Sequence, residues 1–432
     1  MNKTLIIIVS CLVVIFVVSV LFIFSFGGGS SLLWSNETIN SSFPTRASIM
    51  GRQPFGDIDN DGDNEFIVAE DTDSSGFNVY AYWYDSTWKS QKIHTFTDED
   101  MMKDLWVGDY YNNGTIYLVS ATGGSATTDA NIYLMDYKDI GGIITEVNNR
   151  KVASVNTNYF HGIYVGDLNS DGYKEIFSST CSMAGDTGKI VEVKVNETNN
   201  STDVKQQLTK HFGSFAMGDI DNDGIIEVVG STNENIGSSS SITFYADYNG
   251  YENDWANFTQ FLWEDVFKGM YMIVIGDADN DGIDEVILMP YASGGLTRNT
   301  WIVNFNETGV DSNMTLLTTV NPGAGGSGGV VGDADNDGLN ELVIATVTEI
   351  SGASPSFVEI RMFELNDTSI ILNTLLDNIS ISGYDAEEQA NVAIGDADND
   401  GLNEIVFTTR YWVDDQQKII VYNPPVNLTN TA

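Results

Sequence analysis

Three observations predict an all-β fold, a seven-bladed β-propeller of four-stranded blades preceded by one N-terminal transmembrane helix. An acidic nine-residue phrase recurs seven times, its first positions 52, 58, 52, 58, 56 and 63 residues apart, the size of one four-stranded blade. Within each interval, strand-like alternation returns in the same order. No long amphipathic helical period competes with it outside the first 26 residues. Seven such units closed into a ring leave only short, protected sheet edges.

The phrase is complete at Asp333-Ala-Asp335-Asn-Asp337-Gly338-Leu-Asn-Glu341 and runs directly into Leu-Val-Ile. Asp57, Asp59, Asp61, Gly62 and Glu65 open the series, followed by Asp167, Asn169, Asp171, Gly172 and Glu175. Asp219, Asp221, Asp223, Gly224 and Glu227 come next, then Asp277, Asp279, Asp281, Gly282 and Glu285. The last copy is Asp396, Asp398, Asp400, Gly401 and Glu404. One copy is degenerate: Asp109, Tyr111, Asn113, Gly114 and Tyr117 keep the frame with a single carboxylate. Carboxylates at places 1, 3 and 5 converge when the chain wraps around a hard cation, and Gly at place 6 permits the sharp turn. Oxygen ligands in this number point to calcium. An EF-hand carries its bidentate Glu at place 12, where Gly230 and Ile344 stand in two copies, so the acid at place 9 closes the loop and a strand follows. A single copy also reads as an acidic hairpin turn, but six near-intact copies in phase predict about six calcium sites.

The elements follow in order. Residues 5–26 carry no charge, a length that spans a bilayer, and Lys3 favours an N-terminus kept in the cytoplasm with the rest exported. Residues 1–26 are therefore expected to be a retained signal anchor; Gly27-Gly-Gly-Ser30 leaves cleavage as the alternative. Residues 27–44 form a linker and a spare strand, 45–423 the propeller, and 424–432 a tail. In each unit a strand such as 272–275 leads into the acidic loop, a second such as 285–288 leaves it, and a polar Gly/Ser stretch precedes the third. Third strands are expected at 78–82, 131–135, 190–193, 242–245, 301–305, 358–363 and 419–422, with a less regular fourth. After Tyr422 the chain reaches Pro424-Pro425, so the last unit lacks a fourth strand, and residues 32–39 are free to supply it.

Composition narrows the function. A chain of 432 residues with 42% hydrophobic content is too apolar to be disordered despite a net charge of −42. The acidity is local: the six near-intact loops hold 5 × 4 + 3 = 23 of the 61 acids at places 1, 3, 5 and 9. With 19 Lys and Arg, the chain has no basic footprint for nucleic acid. Cys11 lies in the apolar span and Cys181 in a polar loop, so no disulfide is expected in the exported part. Twelve Asn-x-Ser/Thr sequons beyond residue 30 suit an exported, glycosylated surface.

Phe55-Gly56-Asp57-Ile-Asp59, with the repeated Gly-Asp-x-Asp-x-Asp-Gly-x-x-Glu, resembles the FG-GAP/VCBS repeat family, which includes the propeller headpiece of integrin α chains. The resemblance extends over nearly all of residues 45–423. It implies calcium between the first and second strands of a blade at the six near-intact loops, and it leaves the degenerate loop at 109–117 in question. It says less about activity, because the fold hosts adhesion receptors, lectin-like binders and accessory domains of carbohydrate-active enzymes.

No catalytic constellation is found. His94, His161 and His211 have no zinc spacing, and no nucleophile elbow or phosphate loop occurs. The paired carboxylates recur in every intact unit, whereas a catalytic pair occurs once, which assigns them to metal. Trp83, Trp106 and Tyr133 lie on strands as core residues. The leading expectation is a membrane-anchored, extracellular, calcium-binding adhesion or ligand-binding module and not an enzyme; alternatives are a carbohydrate-binding or polysaccharide-active propeller and a structural cell-surface component. Strand direction puts the calcium loops on the membrane side. The opposite face carries Tyr159, His161, His211, Arg298, Arg410, Tyr411 and Trp412, the aromatic and cationic types enriched where proteins bind protein or glycan partners.

Overall fold

The computed structural model describes residues 34–40, 47–48, 53–71, 76–99, 101–123, 129–156, 159–168, 171–181, 188–196, 200–207, 212–232, 243–247, 259–261, 270–290, 300–306, 309–316, 328–348, 356–366, 369–381, 389–410 and 418–425. Among them no helix is long and apolar enough to cross a membrane. The expected anchor at 1–26 lies outside the described residues.

The described chain is a β-propeller of antiparallel four-stranded blades, and its strands follow the repeat. The first unit is Phe55–Gly56, Glu65–Asp71, Phe77–Tyr84 and Trp88–Phe96, with the short Ala47–Ser48 also paired to Glu65–Asp71. The second is Met101–Gly108, Tyr117–Gly123, Ala130–Asp139 and Ile144–Val155; the third is Tyr159–Gly166, Glu175–Cys181, Lys189–Val195 and Asn200–Gln207. Phe212–Gly218, Glu227–Thr232, Thr243–Asp247 and Thr259–Phe261 make the fourth, and Met270–Gly276, Glu285–Pro290, Thr300–Asn306 and Gly309–Leu316 the fifth. The sixth is Gly328–Gly332, Glu341–Thr348, Ser356–Asn366 and Ser369–Ile381. The last consists of Gln389–Gly395, Glu404–Arg410 and Ile419–Asn423, completed by Ser35–Asn40, which pairs antiparallel with Ile419–Asn423.

The count of separate sheets differs from expectation. Among the described residues the strands form six hydrogen-bonded sheets rather than seven, because the second and third repeat units join into one sheet of eight strands. The join is the single pair Tyr159–Gly123, where the first strand of the third unit meets the end of the second strand of the second.

Among the described residues the strands bury their apolar side chains in seven clusters, each shared by two neighbouring units. Ile67, Val79 and Phe77 of the first unit share a core cluster with Leu105, Leu118 and Met135 of the second. Phe66, Val68 and Tyr82 pack on Val406, Ile419 and Val421, which brings the first unit against the last. Trp83 and Tyr133 pack, partly buried, on the first of these clusters, and Trp106 on the next one round.

Around the axis, first strands are laid side by side and tied by side chains. The backbone N–H of Val107 donates to the Gln53 carbonyl at 2.9 Å, in a parallel bridge. Asp104, at a bulge, accepts the N–H of Ile163 at 2.6 Å, and Ser214 Oγ, at the matching bulge of the fourth unit, accepts that of Ile273 at 2.9 Å. At Gly56, Gly218, Gly276 and Gly395, each just before a first loop acid, the missing side chain makes this approach possible. A Cβ at Gly218 would stand 2.5 Å from Ile275, and one at Gly395 would stand 2.6 Å from the Phe55 ring, which closes the circle from last unit to first.

Candidate metal centres

Each acidic loop joins the first and second strands of its unit and binds its own backbone through its acids. The place-1 carboxylate receives the N–H of the place-6 Gly, as in Gly224 to Asp219 at 3.0 Å, Gly338 to Asp333 at 3.1 Å and Gly401 to Asp396 at 3.1 Å. In the last four loops the place-3 carboxylate receives the N–H of place 5, whereas in the first and third loops Asp57 and Asp167 receive it at 3.0 Å; the place-5 carboxylate receives the N–H of place 7, as in Leu339 to Asp337 at 2.9 Å. Place 4 is left-handed in six loops, with φ between 55° and 65° at Asn60, Asn112, Asn222, Asn280, Asn336 and Asn399, which accounts for Asn there. The place-9 Glu, first residue of the second strand, folds back to accept the N–H of place 2: Ile58 to Glu65 at 3.0 Å, and Ala278 to Glu285, Ala334 to Glu341 and Ala397 to Glu404 all at 2.8 Å.

At Asp57 and Asp167 these bonds occupy both oxygens, whereas at Asp219, Asp277, Asp333 and Asp396 they occupy Oδ2 and leave Oδ1 without a partner. Among the described residues, five groups have ligand oxygens within 4.8 Å of one another: Asp57, Asp59 and Asp61; Asp219, Asp221 and Glu227; Asp277, Asp279 and Glu285; Asp333, Asp335 and Glu341; and Asp396, Asp398 and Glu404. Each could hold a metal ion. The Oδ1 atoms of Asp59, Asp219, Asp277, Asp333 and Asp396 and the Oε1 atoms of Glu227 and Glu285 are buried without a hydrogen-bond partner. Buried polar oxygens are normally satisfied, so this repeated set of orphans fits a cation at the focus of each loop. Glu65, predicted as a ligand, stands outside the first group, as do the place-5 acids Asp223, Asp281, Asp337 and Asp400 outside theirs.

Electrostatics agree. The place-9 Glu side chains are 1–2% exposed. Burial, with the neighbouring carboxylates, pushes Glu227, Glu285, Glu341 and Glu404 up to about 8, Glu65 to about 9 and Asp59 to about 6. In the third loop burial again dominates and Glu175 rises only to about 7, because the Lys194 ammonium stands 3.9 Å away. There Asp167 and Asp171 keep their backbone bonds to Gly172 and Tyr173 at 2.8 and 2.9 Å, and the predicted ligand Asn169 lies outside the described residues.

A feature the loop pattern did not announce links the loops to one another. The Asn336 amide accepts the N–H of Asn403 at 2.7 Å and donates to its carbonyl at 3.1 Å; Asn403 in turn donates to the Asp333 carbonyl at 2.8 Å. Asn280 and Asn340 repeat this bond for bond, and Asn399 with Asn64 joins the last loop to the first. Between the degenerate loop and the third, Lys174 takes the part of the place-8 Asn, donating to the Asp109 carbonyl at 2.7 Å and to Asn112 Oδ1. The signal was in the sequence, as Asn at places 4 and 8.

The degenerate loop keeps the frame: Asp109 receives the N–H groups of Asn113 at 3.0 Å and Gly114 at 2.7 Å. At places 3 and 9, Tyr111 and Tyr117 meet edge to face, with centroids 5.2 Å apart at 85°. Of the ligand-face residues, Tyr159 and His161 lie on the first strand of the third unit and Arg410 ends the second strand of the last. His211, Arg298, Tyr411 and Trp412 lie outside the described residues.

No protein-family model matches the chain, and no curated protein does. Among solved structures it is similar to the Dos1 propeller at 10% identity and a TM-score of 0.46, over 90% of this chain and 95% of that one. It is also similar to a chain of the S. cerevisiae core factor at 8% identity and a TM-score of 0.47, over 92% of this chain and 62% of that one, just under two thirds of its length. At such identities neither likeness bears on what the acidic loops hold.

Proposed function

We propose that the chain is a calcium-binding propeller of the FG-GAP/VCBS type, anchored to a membrane by residues 1–26 and acting outside the cell as an adhesion or ligand-binding module. One observation carries the metal: the orphaned, buried oxygens of Asp219, Asp277, Asp333, Asp396, Glu227 and Glu285, each in a group of carboxylates within 4.8 Å. The donors are all hard oxygen atoms, and calcium takes such ligands in flexible geometry. The three carboxylates of each group would hold the ion, which neutralises the mutual repulsion of the loop. In this reading the eight-stranded sheet is two blades touching at one residue pair, and the ring has seven. Metal analysis of the purified chain after dialysis against calcium tests the reading: five or six ions per chain are expected, and none retained would end it. For the ligand face, Tyr411→Ala with Trp412→Ala is expected to abolish cell-surface binding while leaving metal content unchanged.

A further inference from the structure

The second unit departs from the repeat at places 3 and 9, where Tyr111 and Tyr117 stand, and a cleft opens beside them. We infer that this unit carries, where its neighbours carry an acidic group, a pocket that takes one uncharged sugar ring. The cleft measures about 420 Å³ and opens beside Tyr111 and Tyr117, within the roughly 300–1,000 Å³ of small-ligand sites. Strand register builds it. Tyr117 pairs with Asp136 and Asp136 with Asn148, while two residues along Leu134 pairs with Arg150, so these side chains stand in two rows on one sheet face. In the third and fourth units the place-9 acid pairs with Lys194 or Asp247; here the aromatic ring is on the second strand and the acid on the third.

The lining selects against charge. Asp136 is 9% exposed and receives the Asn148 amide at 3.1 Å. Arg150 donates to the Tyr111 hydroxyl at 3.4 Å and to the Asn196 carbonyl, from the third unit, at 2.7 Å. With one carboxylate and one guanidinium the lining carries no net charge, so neither an anion nor a cation gains a net attraction there. A neutral ligand whose hydroxyls both donate and accept pairs with both groups without the desolvation cost of a charge. Two half-buried tyrosines with a buried Leu134 give such a ring an apolar surface for its C–H faces. Asn196 also opens an Asn-Glu-Thr sequon, so the sugar can come from a glycan on this chain or from a free saccharide.

The full chain from a non-glycosylating host is titrated, by saturation-transfer NMR and calorimetry, with methyl glucoside, methyl galactoside and N-acetylglucosamine, and with glucuronate and glucosamine as charged controls. At least one neutral sugar is expected to bind and neither charged one. Asn149→Ala, an exposed change at the cleft edge, and Tyr111→Leu are each expected to weaken binding about tenfold. If glycosylated protein no longer takes up added sugar, the chain's own glycan fills the pocket; if it does, the source is free saccharide. No neutral sugar binding, a charged sugar binding better, or affinity unchanged in both variants would overturn the assignment. The inference does not rest on the metal reading, and calcium content measured on the same samples keeps the two failures apart.

Discussion

Stripping the loops of metal is expected to cost more stability at pH 8.5 than at pH 5.5. Five carboxylate groups could each hold an ion. At a hundredfold excess of calcium over its Kd, one site that binds only the folded state adds about 2.7 kcal/mol, so five together add roughly 13 kcal/mol. Unfolding entropy of about 2.1 cal/mol/K per residue over some 380 residues gives about 0.8 kcal/mol per degree, and hence a Tm shift of about 15 °C on chelation. The pH dependence follows from the raised carboxyls. A Glu whose folded pKa lies above its unfolded value stabilises the fold while protonated, fully below about 4.5, and that contribution is lost as pH rises through about 8, the value at Glu227, Glu285, Glu341 and Glu404. Chelated protein should therefore melt progressively lower from pH 5.5 to 8.5, while calcium-saturated protein should not. Differential scanning calorimetry at both pH values, with calcium and with chelator, measures all four states. Equal Tm with and without calcium at pH 8.5, or chelated protein more stable at pH 8.5 than at 5.5, would refute the reasoning.

Other outcomes are equally specific. Asp335→Ala should lower the metal count by one in mass spectrometry under native conditions, whereas Asn113→Ala should not change it. Asn336→Ala removes two hydrogen bonds to Asn403 and places a Cβ residue without a polar side chain at φ 62°, so it should lower stability by about 2–3 kcal/mol in urea titration. Deleting residues 32–42 uncovers the Ile419–Asn423 edge, and light scattering should show aggregation that the intact chain lacks.

What could be read from residues alone was what ion geometry and pleat impose locally. An ion fixes which places in a loop carry oxygen, and the pleat fixes alternation, so Asp333 to Glu341 and the strands beside it are legible in one dimension. The joining of two units into one sheet was not, because it depends on where Tyr159 and Gly123 end up in space. Nor was the grouping of the oxygens: Asp337 has the same residue type as Asp335, but only Asp333, Asp335 and Glu341 bring oxygens within 4.8 Å of one another, which side-chain placement decides. The bonds between loops escaped for a related reason. Asn336 and Asn403 are 67 residues apart, and only the curvature of the ring brings them together. The cleft beside Tyr117 depends on the register of three strands, which no local pattern specifies.

The pairing of Ser35–Asn40 with Ile419–Asn423 sets a timetable for biosynthesis. The strand made first has its partner made last, about 380 residues later. At about 5–20 residues per second, it waits roughly 20 to 80 seconds on the ribosome or beyond it before the circle can shut. Until then the nascent protein is an open arc with two unfinished rims, and every intermediate length exposes a sheet margin. Shutting a span of that size costs little more entropy than shutting one half as long, since the cost grows only with the logarithm of length. The delay is thus one of synthesis rather than of search, and a chaperone that shields the early segment would have that interval in which to act.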